Sequence, residues 1–224
     1  MTIETMSTRE LQKGVRRRAI LDAARQLILD GKDRDFSMPT LAAKAGVSLV
    51  TPYNLFGSKS SILLEIVRED IFERVTEIDA LTSHSLTGWI ADMSRVLARV
   101  YYRNRHFYRR MIVTLVAQEN AASQRASLEF SYRMFEMPLK RLQERGMLST
   151  EMPSDILARH VAHSVSGSLQ HRLMERGTED LLRQEIEMGL LLLLAGICSD
   201  GERLRLRGRM VELSAIDREI RAGL

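Results

Sequence analysis

From Val15 onward, apolar residues recur at intervals of three and four in blocks broken by glycine and proline, a rhythm that restricts the chain to helices packed by one face. Val15 to Leu29 sets Ile20, Ala23, Ala24, Leu27 and Ile28 on one side and leaves Arg16, Arg17, Arg18 and Arg25 largely off it, with Gly31 as the stop. Ser37 reads as the cap of a short helix and Ser48 as the cap of a second one running to Phe56. After Gly57, Ser58 caps a long helix carrying Ile62, Ile66, Ile71 and Val75. Further blocks span about 87–103, 105–119, 122–145, 154–176, 178–198 and 210–222. Gly146, Pro153, Gly177 and Gly201 mark joints, while Pro138 falls inside a block and predicts a kink. Arg203 to Arg209 alternates arginine with leucine and glycine, which reads as a short extended stretch. The expected class is all-α, without internal repeats.

At 224 residues and 45% apolar content the chain can bury a substantial core, and 28% charged residues with few glycines and prolines exclude a low-complexity polymer. The longest nearly unbroken apolar run, Met188 to Cys198, is far short of the roughly 18 residues that a bilayer-spanning helix needs. No secretory signal is legible, so a cytoplasmic protein with no membrane association is expected. The single cysteine, Cys198, excludes an internal disulfide and a cysteine-based zinc site, and its apolar setting predicts a buried thiol.

The net charge of +4 lies entirely in the first sixty residues, which hold ten basic side chains against six acidic ones; the rest of the chain is balanced. A polyanion partner and a solvated face are both compatible with that asymmetry. Within it, Met38 to Asn54 has the parts of a helix-turn-helix. Ala42 is the small residue where two helices cross, Gly46 is the turn glycine, and Leu41, Ala45, Val47, Pro52 and Leu55 form the inward set. Leu49, Val50, Thr51, Tyr53 and Asn54 are left facing outward, on a helix of the size that a major groove admits. Lys59 opens the next helix against its dipole, a placement that an anion opposite would favour. Ser37 and Ser48 put hydroxyls beside free backbone N–H groups, either as plain caps or as phosphate ligands.

The segments RRRAILDAARQLIL and FSMPTLAAKAGVSLVTPYNLFGSKSSIL resemble the DNA-binding domain of the tetracycline-repressor (TetR) family of bacterial transcriptional regulators, over roughly residues 15–67. The family's A-G-V-S turn is matched by Ala45 to Ser48, its T-x-Y by Thr51 and Tyr53, and its F-x-S-K by Phe56, Ser58 and Lys59. The resemblance implies that Ser37, Tyr53 and Lys59 contact phosphates and that Leu49, Val50, Thr51 and Asn54 lie near base edges. Val50 stands where a glycine is common. With Leu49 it suits thymine methyl groups, leaving more of the readout to Asn54, arginines and DNA shape.

The resemblance divides the chain into a helix-turn-helix domain at 1–60 and a helical effector-binding and dimerisation domain at 61–224. Leu190 to Leu194 is apolar around the whole helix, so it needs cover on several sides; a second copy completing a four-helix bundle and burial within one chain both supply it. Trp89, Met93, Phe107, Met111, Phe130 and Met134, with His163, are candidates to line an apolar effector pocket, against the alternative of ordinary core. His160 and His163 lie three apart on one helix, but no carboxylate set or cysteine completes a metal site. No phosphate-loop, dinucleotide, zinc-protease or nucleophile-elbow pattern is present, so neither an enzyme nor a cofactor is expected. The expected function is a homodimeric repressor released from a double-stranded operator by a small ligand. A DNA binder without ligand control and a helical scaffold for acidic partners remain the alternatives.

Overall fold

Helix caps and glycine stops set the observed element boundaries. The computed structural model describes residues 8–30, 36–81, 84–103, 105–109, 121–174 and 177–222. Its named helices are α1 (Thr8–Asp30), α2 (Met38–Lys44), α3 (Val50–Phe56), α4 (Lys59–Leu81), α5 (Leu86–Arg103), α6 (Ala121–Glu144), α7 (Ser154–Met174), α8 (Glu179–Leu194) and α9 (Asp200–Ala222). Among the described residues there is no strand, only one isolated antiparallel bridge, and no described helix is long and apolar enough to cross a membrane. Gly31 lies outside the described residues.

The chain forms two compact units, one of residues 1–69 with 106–127 and one of residues 70–105 with 128–224. In the first, α1, α2 and α3 pack on one another. Ile20, Leu21, Ala24, Leu41 and Ala42 are buried there, as are Ile62, Leu63 and Ile66 of α4. The first turns of α4 thus belong to this unit as far as Glu69, beyond the boundary at residue 60 that the sequence reading draws.

In the second unit α8 packs against α5, α7 and α9. Its cap is Thr178, whose hydroxyl accepts the Leu181 N–H at 3.3 Å, and Glu179 and Asp180 in the first turn suit the positive end of the helix dipole. Leu182, Ile186, Leu190, Leu191 and Leu194 are buried within the one chain, so α5, α7 and α9 supply much of the cover that this apolar helix requires. Leu192 remains 63% exposed. Trp89, Ile90, Met93 and Leu97 of α5 fill the same core.

One expectation is revised. The alternating Arg203–Arg209 stretch is helical, inside α9: Glu202, Leu206 and Leu213 are buried at helical intervals while Leu204 is 78% exposed. The Glu202 carboxylate accepts the Leu86 N–H at 3.1 Å, capping α5 from the far end of the sequence. Pro138 lies inside α6, which continues to Glu144. That helix ends at Gly146, whose φ of 70° allows the Gly146 N–H to reach the Gln143 carbonyl and the Met147 N–H to reach that of Leu142. The following loop pairs with the one after α8: the Ser149 N–H donates to the Ile197 carbonyl at 2.8 Å and the Ser199 N–H to that of Met147 at 3.1 Å. Cys198 is buried beside this bridge as a free thiol.

Helices α7 and α8 approach closely at Gly189, where a Cβ would stand 2.6 Å from the Ser164 Oγ and 4.0 Å from its Cβ. Gly189→Ala should therefore lose by crowding the roughly 1 kcal/mol that alanine gains in helix propensity. The double variant Ser164→Ala/Gly189→Ala should recover it. A double-mutant cycle by urea denaturation is expected to give a coupling of about 1 kcal/mol, and additive effects would refute the contact.

Candidate nucleic-acid interface

The geometry of the α2–α3 pair follows from its end groups. Ser37 is extended (φ −90°, ψ 157°), and its Oγ accepts the Thr40 N–H at 3.2 Å, so α2 starts where the sequence places it. At the other end Gly46 takes φ 66°; its N–H meets the Ala43 carbonyl at 3.2 Å and the Val47 N–H meets that of Ala42 at 3.0 Å. This paired stop requires the left-handed conformation that glycine adopts without strain, and it fixes the direction of entry into α3.

The start of α3 departs from the sequence reading. Leu49, already in the helical region, is the flanking residue and makes no side-chain cap. Ser48 lies one step farther out: its carbonyl accepts the Thr51 N–H at 3.0 Å and its hydroxyl meets the Thr51 hydroxyl at 2.7 Å. Pro52 sits in the first turn, where its missing N–H costs no helical bond, and its ring is buried. Leu49, Val50, Tyr53 and Asn54 are exposed, with the three large side chains at 50%, 59% and 48%, and Thr51 is half-buried. Gly57, at φ 77°, ends the helix. The Ser58 Oγ then accepts the Ser61 N–H at 3.2 Å to start α4.

Lys59 has a partner that the sequence did not reveal. Its Nζ donates to the Phe36 carbonyl at 2.8 Å and lies 4.5 Å from the centroid of the Phe36 ring. A carbonyl and an aromatic face thus offset the unfavourable helix dipole without any external anion.

Arg17, which the sequence places only on a polar face, joins three helices. Its guanidinium donates to the Leu55 carbonyl in the last turn of α3 at 2.8 Å and to Glu65 at 3.2 Å, and stacks 4.3 Å from the centroid of Phe56. The Glu65 carboxyl is held below the usual carboxylate range, first by the hydrogen bond from Arg68, against the opposing effect of burial, with the charges of Arg68 and Arg17 adding to it. Arg18 and Arg25 both reach Glu69 at 3.2 Å, and Lys44 reaches Asp30 at 3.1 Å. Much of the basic excess of the first sixty residues is therefore spent inside the unit.

The expected effector residues do not share one setting. Trp89 and Met93 are 2% and 0% exposed in the α5 core. Phe107 belongs to the first unit and packs edge-on to Tyr108, while Met111 lies outside the described residues. Phe130 and Met134 are half-buried on α6, and His163 is exposed, with its Nε2 3.0 Å from the Tyr132 hydroxyl. A cleft of about 480 Å³ in the second unit is lined instead by residues of α7, α8 and α9, among them His171, Leu181, Gln184 and Met188. Among the described residues no group of three or more His, Cys, Asp or Glu could hold a metal ion.

No protein-family model and no curated protein matches the chain. Solved structures do. FadR of Thermus thermophilus, a TetR-family transcriptional repressor in complex with lauroyl-CoA, aligns with a TM-score of 0.66 at 24% identity over 80% of this chain and 94% of its own. A TetR transcriptional regulator from Rhodococcus sp. RHA1 aligns at 0.65 and 21% identity, covering 82% and 97%. SmeT, the repressor of the Stenotrophomonas maltophilia multidrug efflux pump SmeDEF, aligns at 0.54 and 23%, covering 83% and 91%; it is also solved as a complex with triclosan. The chain has the fold of these regulators.

Proposed function

We propose that this chain, which has the fold of TetR-family repressors, is a homodimeric DNA-binding transcriptional regulator released from a pseudo-palindromic operator by a small apolar ligand. The observation that carries the reading is α3. It is entered through the fixed Gly46 turn, stopped by Gly57 and held from behind by Pro52, yet it leaves Leu49, Val50, Tyr53 and Asn54 uncovered. Apolar side chains half or more exposed on a short, well-fixed helix are costly unless they meet a partner surface, and a major groove offers thymine methyls and base edges of matching size. Thr51 and Asn54 read bases in this scheme, and Ser37, Ser48, Tyr53 and Lys59 hold phosphates.

Dimerisation is supported by the apolar stripe left on α8, with Leu181 and Met188 half-buried and Leu192 exposed. Lauroyl-CoA and triclosan, bound by the two repressors of the same fold, support an apolar effector and a switch in which the ligand binds one head spacing better than the other. The helices of the second unit are assigned to effector binding and dimerisation.

The test is selection of bound sites from a random duplex library near physiological salt, where a Debye length of about 8 Å suppresses loose electrostatic binding. A palindrome is expected, with half-sites about 34 Å apart or a multiple of it. Binding without any motif overturns the reading. On the selected duplex, Asn54→Ala is expected to reduce discrimination at one base position about tenfold, whereas Tyr53→Ala weakens all sequences alike. Equal effects of both on every base position would refute the division of roles.

A further inference from the structure

Resting on that reading, we infer that Arg9, Lys13 and Arg16 form a second contact edge, which grips the phosphate backbone of the same duplex beside the groove that α3 occupies. The three residues lie four and three positions apart on α1, hence on one helix face, and all are exposed. Among the described residues none of the three has a hydrogen-bonding or ionic partner, whereas Arg17, Arg18 and Arg25, just beyond them, are matched to Glu65 and Glu69. Like charges at this spacing repel along a helix, a strain that an anion relieves.

Packing does not account for the arrangement, because no residue from Thr8 to Arg16 is buried. The same three side chains line a cleft of about 440 Å³ together with Glu10, and its other wall is Thr51, Asn54 and Leu55 of α3. The unpaired cations and the base-reading residues therefore open onto one space. Along α1, Arg9 to Arg16 rises about 10 Å, long enough for the three cations to meet several phosphates of one backbone. Exposed, unmatched cations that share one cleft with the uncovered face of α3 are the observation on which the inference stands.

The experiment titrates the full chain with the selected duplex, about three helical turns long, and with a scrambled duplex across a salt series. R9A/K13A/R16A should weaken both duplexes and flatten the slope of log K against log salt by about 2.7 per bound subunit, roughly 0.9 for each phosphate. The selected motif should stay unchanged, and phosphate-ethylation interference should lose the contacts flanking each half-site. R9K/R16K should keep the wild-type slope. R133A/K140A/R145A, which removes the same formal charge from exposed positions on α6 and just beyond its end, should leave slope and footprint unaltered. A wild-type slope and footprint in R9A/K13A/R16A overturn the inference while leaving the operator reading standing, and so does equal flattening by both triple variants. Failure of the unmodified chain to select any motif refutes the operator reading itself. The three positions are exposed, so an unchanged thermal transition is expected and separates lost contacts from lost fold.

Discussion

Glu187→Ala is expected to lower the stability of the second unit by about 3 kcal/mol, the largest single-residue effect foreseen on the fold. Glu187 is wholly buried on α8, and both its oxygens are engaged: Oε2 accepts from Arg183 at 2.8 Å and Oε1 from Arg209 of α9 at 2.7 Å. The carboxylate is the main reason that the Arg209 guanidinium titrates above its usual range. Removing it leaves two cations facing a void. Breaking a fully buried pair costs about 3–5 kcal/mol. The lower end applies because the two arginine side chains are 24% and 28% exposed and can turn toward water. Glu187→Gln keeps the shape and one acceptor, so about half the loss is expected. Urea titration should show the midpoint falling at constant slope, and a change below about 0.5 kcal/mol would refute the assignment.

Arg17→Ala is expected to cost about 2 kcal/mol in the first unit, the sum of a charge-assisted hydrogen bond to Leu55 and the stacking on Phe56. It should also lower operator affinity about tenfold. Arg17 is a positioning residue: its guanidinium neutralises the carbonyl end of α3, so its loss frees the helix that carries Tyr53 and Asn54. Base preference should therefore shift, while the salt dependence stays as in the unmodified chain, since no phosphate contact is lost. Arg17→Lys should restore little, because one ammonium cannot meet the Leu55 carbonyl, Glu65 and the Phe56 face together. A preserved motif with a flattened salt slope would instead make Arg17 a direct phosphate ligand.

Helix α3 is legible in the sequence because its determinants are local. Ser37, Gly46 and Gly57 act within a turn of their own positions, and a positive φ leaves glycine as the natural choice. Buried Ile62, Ile66 and Ile71 were equally plain from their spacing. What stayed hidden depends on partners distant in sequence. Nothing near Arg17 or Arg25 announces Glu65 or Glu69, so a run of arginines read as one electrostatic surface divides into neutralised and open members. Arg203 to Arg209 misled for a related reason: alternation over seven residues fits a strand, and only the burial of Glu202 and Leu206 reveals the helix. Trp89 and Met93 cannot be assigned to core or cavity by spacing alone, since both settings call for the same side chains; the structure buries both.

The pairing of the Met147–Ser149 loop with the Ile197–Ser199 loop closes the chain between them into a ring. Helices α7 and α8 therefore have their entrance and exit clasped together, and Gln143 adds two more ties, donating to the Ser149 and Met152 carbonyls. The chain itself ties the other end, with four residues between Met174 and Glu179, so α7 can splay from α8 only where this loop pairing lets go, and the amides of Ser149 and Ser199 should exchange with solvent in step, as one latch.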